Sequence, residues 1–365
     1  MRKMFLFFLS LSAVLMLWSC SEQSNPNNPA GERVKEWSYL GTPGFSIGHA
    51  KYPNVEVHNG IVYTAYSDQG NSFKLYVKKF ISPEWVDMAA NPVDDTTAVS
   101  EVDLAVNSAT GQLLVSAYST AYSSFYVHSY NGSQWSWLGG GPLTAYESYG
   151  HVEADGNTVY AVFGMNNVIA QKFIMPSGPW ENFGGASVTP AAADGGNLCV
   201  YNGEIYAAFP EDTQKTTVLK FNGSAWEPVG STQFSVGASM RHTIKVDSTG
   251  VYVLYMDLAI EQKTTLMKYD GVSWAALGGP GFSENSVYGP ALALEDGVPY
   301  VSYINQSDFA LVVQKYTGAQ WETIIPDSLG CSGASYTDIS VEDGDVYVAF
   351  DDINNGHRIS VAAYR

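Results

Sequence analysis

Two sets of residues recur along this chain at nearly even spacing and carry groups from which a site could be built. The first is Asn54, Asp103, His151, Asn197, Thr243, Ala291 and Asp338; the second, two positions upstream, is Tyr52, Glu101, Tyr149, Gly195, Arg241, Gly289 and Tyr336. Tyrosine faces beside hydrogen-bonding groups suit a polyhydroxylated ligand. Glu101, Asp103 and Asp338 could instead supply the paired carboxyl groups of glycoside cleavage. His151 or His242 with Asp103 or Asp338 could hold a metal, but the six histidines show no paired ligand spacing. The expectation is therefore no metal and no cofactor. The oxygen-rich stretch Asp351-Asp352-Ile353-Asn354-Asn355-Gly356 lacks the EF-hand pattern and is expected to be a solvated turn.

These residues are ordered by a repeat. Tryptophans at positions 37, 85, 135, 180, 226, 274 and 321 return every 45 to 50 residues. Several copies are preceded by an aromatic-x-Gly turn, as in Tyr130-Asn131-Gly132-Ser133-Gln134-Trp135, Phe221-Asn222-Gly223-Ser224-Ala225-Trp226 and Tyr269-Asp270-Gly271-Val272-Ser273-Trp274. Between the tryptophans lie apolar runs closed by an aromatic, such as Ile61-Val62-Tyr63-Thr64-Ala65-Tyr66 and Asp345-Val346-Tyr347-Val348-Ala349-Phe350. A short strand and a Gly turn, as at Asn59-Gly60 or Asp343-Gly344, precede each run, and another strand follows it. Four strands per period predict propeller blades.

The expected fold is all-β: a seven-bladed β-propeller of four-stranded antiparallel blades over residues 34–365. The chain ends after a third-type strand, at Val361-Ala362-Ala363-Tyr364-Arg365, and the domain begins with a fourth-type strand at Trp37-Ser38-Tyr39-Leu40-Gly41. The N-terminal strand is therefore expected to complete the last blade and close the ring. Ligands of propellers favour the channel mouth, where the innermost strands start. Both residue sets fall there, and a water-filled channel would also be lined by such polar groups.

The units resemble those of bacterial extracellular seven-bladed propellers whose repeats read W-x-x-L-G, G-x-x-Y-V-A-Y and V-x-K-Y-N-G-S-x-W. The likeness spans Trp37 to Arg365, and Gly41-Thr42-Pro43-Gly44-Phe45-Ser46 and Gly278-Gly279-Pro280-Gly281-Phe282-Ser283 are among its more specific pieces. The resemblance implies an architecture and no fixed activity. The Asp-box spacing of sialidase-like propellers is missing. So is an arginine cluster, because outside the first 20 residues only Arg33, Arg241, Arg358 and Arg365 remain.

Residues 1–20 read as a secretory leader, with Arg2 and Lys3 before an apolar stretch too short to span a bilayer. Leu17-Trp18-Ser19-Cys20 resembles a lipobox, which implies lipidation of Cys20; no Asp follows it, which points to an outer-membrane lipoprotein of the cell envelope. Residues 21–33 read as a flexible tether. Cys199 is expected as a small buried hydrophobe rather than half of a disulfide. The formal net charge of −18 argues against nucleic acid and against direct contact with anionic membrane. The expected partner is a glycan or an envelope protein, bound by a monomer held at the membrane through its lipid alone. Two other roles stay open: a glycan-cleaving hydrolase or lyase, and a passive envelope scaffold.

Overall fold

A computed structural model describes residues 34–89, 92–93, 97–145, 150–164, 167–189, 196–211 and 213–365. Cys20, the leader, the tether up to residue 33, Tyr149 and Gly195 lie outside the described residues. One compact unit spans Glu36–Arg365. It is the expected propeller: seven antiparallel sheets of four strands each, with Thr144–Ala145 adding a short fifth strand to the second blade. The innermost strands are Ala50–His58, Val99–Val106, Gly150–Asp155, Asn197–Tyr201, Ser239–Asp247, Val287–Glu295 and Gly333–Glu342, which number blades 1 to 7.

Each blade follows from the repeat. The apolar run forms the second strand, buried on both faces because a neighbouring blade covers each side. Val62, Ala65 and Tyr66 of blade 1 are nearly inaccessible. The aromatic-x-Gly segment is the hairpin between the third and outermost strands. There the Asn131 carboxamide oxygen accepts the backbone N–H groups of Ser133 and Gln134 at 3.0 and 2.9 Å, and Asn222 does the same for Ser224 and Ala225. Gly132 and Gly223 take φ of 96° and 99°, a conformation that would strain other residues.

The cores lie between blades. Each main apolar cluster combines two neighbours, such as Leu75 and Val77 of blade 1 with Leu104 and Val115 of blade 2. No blade therefore buries its faces alone. In six of the seven blades the tryptophan that opens the outermost strand adds a directed contact. Trp85, Trp135, Trp180, Trp274 and Trp321 donate their indole N–H to the carbonyls of Leu40, Met88, Leu138, Val229 and Leu277 of the preceding blade, at 2.8 to 3.0 Å. Trp37 closes the circle on Ile324 at 2.6 Å. After Leu40, Leu138, Val229 and Leu277 a glycine clears room for the indole. At Gly139 and Gly278 a Cβ would lie 2.6 Å from Cδ1 of Trp180 and Trp321, and their φ are 79° and 73°. The W-x-x-L-G motif is thus a donor and the next blade's acceptor written in one segment.

Ring closure is as expected. Trp37, Ser38 and Tyr39 pair with Tyr364, Ala363 and Ala362, and the Trp37 and Tyr364 rings stack with centroids 5.6 Å apart. Cys199 and Cys331 are free and buried. The 351–356 stretch departs from the solvated turn expected of it. Asp351 and Asp352 are buried, because Asp352 caps the short helix Ile353–Asn355 and Asp351 accepts backbone N–H groups of the innermost strand.

Gly139→Ala and Gly278→Ala should each cost about 2 kcal/mol or more, since a left-handed non-glycine residue alone costs about 1–2 kcal/mol. Alanine at Gly132, where nothing lies within 4 Å of a Cβ, should cost less. Urea unfolding of the three variants checks the order.

Candidate functional site at the channel mouth

Four innermost strands carry the same irregularity near their first residues. The register slips between Lys51 and Asn54, Ser100 and Asp103, Met240 and Thr243, and Tyr288 and Ala291. Within each slip one residue is left-handed: Tyr52 (φ 54°), Glu101 (50°), Arg241 (56°) and Gly289 (48°). A bulge re-aims a side chain out of the pleat. Gly289 adopts the conformation without steric cost, whereas tyrosine, glutamate and arginine pay for it. Blade 7 is irregular between Gly333 and Thr337, which includes Tyr336.

The re-aimed side chains converge from blades 1, 2, 5 and 7. Tyr52 and Tyr336 have ring centroids 4.6 Å apart at 53°. The Arg241 guanidinium carbon is 6.0 Å from the centre of the Tyr336 ring, and Nη1 is 3.8 Å from Oε2 of Glu101. Burial, with Glu101 and Tyr336 beside it, pushes the Tyr52 phenol well above its ordinary pKa. Burial raises the Glu101 pKa, against the opposing pull of Arg241 and of Tyr52. The arginine thus reaches across the ring. On its other side a cavity of about 310 Å³ is lined by Glu101, His151, Asn197, Glu211, Arg241 and His242, among others. His242 is held neutral by burial, with its pKa lowered to about 3.

The first residue set does a different job. Asn54 donates to the Val102 carbonyl at 2.7 Å; Asp103 accepts from Val152 N–H, Asn197 from Ile244 N–H and Asp338 from Val55 N–H, at 2.9 to 3.0 Å. Each bond joins one innermost strand to the next blade's. Asp103 also holds Nδ1 of His151 at 3.0 Å with its other oxygen. The carboxyl groups of Asp103 and Asp338 are therefore partly committed to the frame, while Glu101, Arg241, Tyr52 and Tyr336 belong to the mouth. No structural statement applies to Tyr149.

Below the mouth is a charged layer that the two residue sets do not contain: Glu56, Glu153 and Lys245. Burial pushes Glu56 up to about 8, opposed by Lys245 and reinforced by the carboxyl groups of Asp338, Glu153 and Asp103. Asp338 rises to about 6, again through burial. Burial would lower His151, but Asp103 and Glu153 outweigh it and hold the imidazole near 10. Lys245 is raised by Glu153 and Glu56 in spite of its burial. The signal for these residues is period two: Glu56, Glu153 and Lys245 each lie two positions beyond a member of the first set, on the same strand face.

No family model and no curated protein matches the chain. Solved structures do. A sialidase from Trypanosoma rangeli in complex with an inhibitor superposes with a TM-score of 0.50 at 10% identity, over 91% of this chain and 59% of the sialidase. The chain thus spans well under two thirds of that enzyme. An ulvan lyase, described as a new family of polysaccharide lyase, gives a TM-score of 0.56 at 12% identity over 89% of this chain and 95% of the lyase. A protein of unknown function from Dyadobacter fermentans gives 0.51 at 14% identity over 91% and 98%. What they share with this chain is the fold. At such identity it says nothing of the site.

The channel shifts fix a pH dependence. Glu56, Asp338 and His151 all keep protons in the folded chain that the unfolded chain releases from ordinary values of 4.5, 3.8 and 6.5. Their stabilisation is complete below those values and is lost as pH rises through about 8, 6 and 10 respectively. Above about pH 6.5 the melting temperature should therefore fall towards alkaline pH, whereas below it His242, lowered to about 3, opposes the trend because its stabilisation is lost as pH falls from 6.5. Glu56→Gln should flatten the arm between about 4.5 and 8. Scanning calorimetry across that range checks both.

Proposed function

We propose that this propeller binds a glycan at the channel mouth, as a lipid-anchored module of the outer cell envelope. The observation that carries the reading is the strained trio Tyr52, Glu101 and Arg241. A bulge position that glycine fills freely in blade 6 is occupied in three other blades by a tyrosine, a glutamate and an arginine in left-handed conformation. Such strain persists only where the surrounding structure enforces it, and it clusters at binding sites, where the side chain it presents is used.

The chemistry suits a sugar chain. The Tyr52 and Tyr336 rings offer apolar faces for pyranose C–H surfaces, and Arg241 and Glu101 offer donors and acceptors for hydroxyl groups. Arg241 can also take a carboxylate or sulfate substituent on the chain, by a charge-assisted pair in place of its long contact with Glu101. Two of the propellers that share the fold are a sialidase and an ulvan lyase, and these names support a glycan as the class of ligand.

A second reading is glycan cleavage, favoured by the burial of Glu101 at the mouth, which raises its carboxyl pKa in the direction a general acid requires. Asp103 and Asp338 are then poor candidates for its partner, since each already holds a neighbouring strand.

Affinity electrophoresis or titration calorimetry against a panel of neutral, uronate-containing and sulfated polysaccharides tests the proposal. Tyr336→Ala and Arg241→Gly should each weaken binding at least about tenfold. Arg241→Gly should leave the melting temperature nearly unchanged, because relief of about 1–2 kcal/mol of left-handed strain offsets the lost pair. Undiminished binding in both variants would place the site elsewhere. Release of fragments by the parent chain but not by Glu101→Gln would favour cleavage.

A further inference from the structure

A second cluster stands at the seam where the ring closes, outside the residues of the mouth. His49 immediately precedes the innermost strand of blade 1, Asp351 is the penultimate residue of the second strand of blade 7 (Asp345–Asp352), and His357 precedes its third strand (Arg358–Tyr364). One ligand atom from each of the three lies within 4.8 Å of the others. The imidazole centroids are 4.6 Å apart, and the rings are tilted by 34°.

Three features mark this as more than two surface histidines. The Nδ1 atom of His357 is buried and has no hydrogen-bond partner, an arrangement that costs free energy unless something else occupies it. Oδ1 of Asp351 accepts the backbone N–H groups of Ala334, Ser335 and Tyr336 at 2.9, 3.2 and 3.4 Å, which orients the carboxylate as an outer shell orients a ligand. The two histidine backbones are also fixed. The His357 carbonyl accepts Ala50 N–H and the His49 carbonyl accepts Gln69 N–H, both at 2.8 Å, and His357 itself is left-handed with φ 59°.

We infer that His49, Asp351 and His357 form a binding site for a divalent late first-row cation, with zinc as its natural probe, bridging blade 7 to blade 1. Two imidazoles and one carboxylate suit such ions better than calcium or magnesium, which prefer oxygen ligands. Metal–ligand distances of about 2.0–2.2 Å put ligand atoms about 3.3 Å apart in a tetrahedral site, so the cluster closes by roughly 1.5 Å on binding, which side-chain rotation of His49 can supply. Three protein ligands leave the fourth position open. The ion ties the segment that leads into blade 1 to the C-terminal strands of blade 7, and through Asp351 it reaches the backbone of Tyr336 at the mouth.

The test is titration calorimetry of zinc chloride into the untagged, chelator-treated full chain, with melting temperature as a second readout. One zinc per chain should bind and raise the melting temperature. His49→Gln and His357→Gln should each weaken binding by more than the roughly 10–100-fold that loss of an outer-shell partner costs. His58→Gln, at the far end of the same blade 1 strand, should leave it unchanged. Should either site variant fail to fold, cobalt(II) added to the parent chain should give the visible absorption of a four- or five-coordinate site, which an equivalent of zinc abolishes. No saturable zinc binding, or binding retained in both site variants, overturns the assignment, as does a parent chain without the cobalt bands.

Discussion

The structure depends on an indole N–H of one blade meeting a carbonyl of the blade before it. A blade is a twisted sheet with two apolar faces, and apolar burial alone does not fix how far one sheet slides over the next. The hydrogen bond supplies that register. It works because the residue after the carbonyl is in most blades a left-handed glycine, whose missing Cβ lets the indole approach. Blade 1 shows the tolerance of the device: Ala89 follows the accepting Met88 at φ 60°, accepting the strain that its glycine counterparts avoid. Further latches on the channel side, from Asn54, Asp103, Asn197 and Asp338, repeat the logic at the innermost strands.

The separation of frame from mouth follows from this. Positions that hold the blades together recur as the same few residue types, while the bulge positions two residues upstream have drifted to tyrosine, glutamate, arginine and glycine. A frame held by many repeated contacts can carry a few strained residues, and it does so where the innermost strands begin. The charged layer below the mouth is a different compromise. Glu56, Glu153 and Lys245 are half-buried along the channel, where Lys245 offsets part of the acidic charge and Glu56 is held in the direction of its protonated form.

Much of the architecture was legible because it is periodic. The tryptophan ruler, the Asn-Gly turns and the unmatched strands at the two ends of the domain lead to the blade count and to the closure at Trp37 and Tyr364 that the structure displays. The site was legible only as a neighbourhood. Spacing placed Tyr52, Glu101, Arg241 and Tyr336 near one another, but no pattern reveals that Arg241 reaches across to Glu101, since that depends on a bulge and on the diameter of the ring. Spacing also grouped Asp103 and Asp338 with them, although their hydrogen bonds serve the adjoining blade. His49 and His357 are 308 positions apart and outside both residue sets, so their meeting appears only once the ends are joined.

The hydrogen bond on which the ring rests can be isolated, because one blade lacks it. The Trp226 indole N–H is buried without a partner, although Gly184 packs against it as its counterparts do. Equilibrium unfolding of Trp321→Phe and Trp226→Phe compares the same loss of ring area with and without a broken bond. Trp321→Phe should be the more destabilising by about 1 kcal/mol, the net worth of such a bond, and somewhat more because the Leu277 carbonyl is left unpaired. Equal losses, or a greater loss at Trp226, would show that apolar packing alone sets the register between blades.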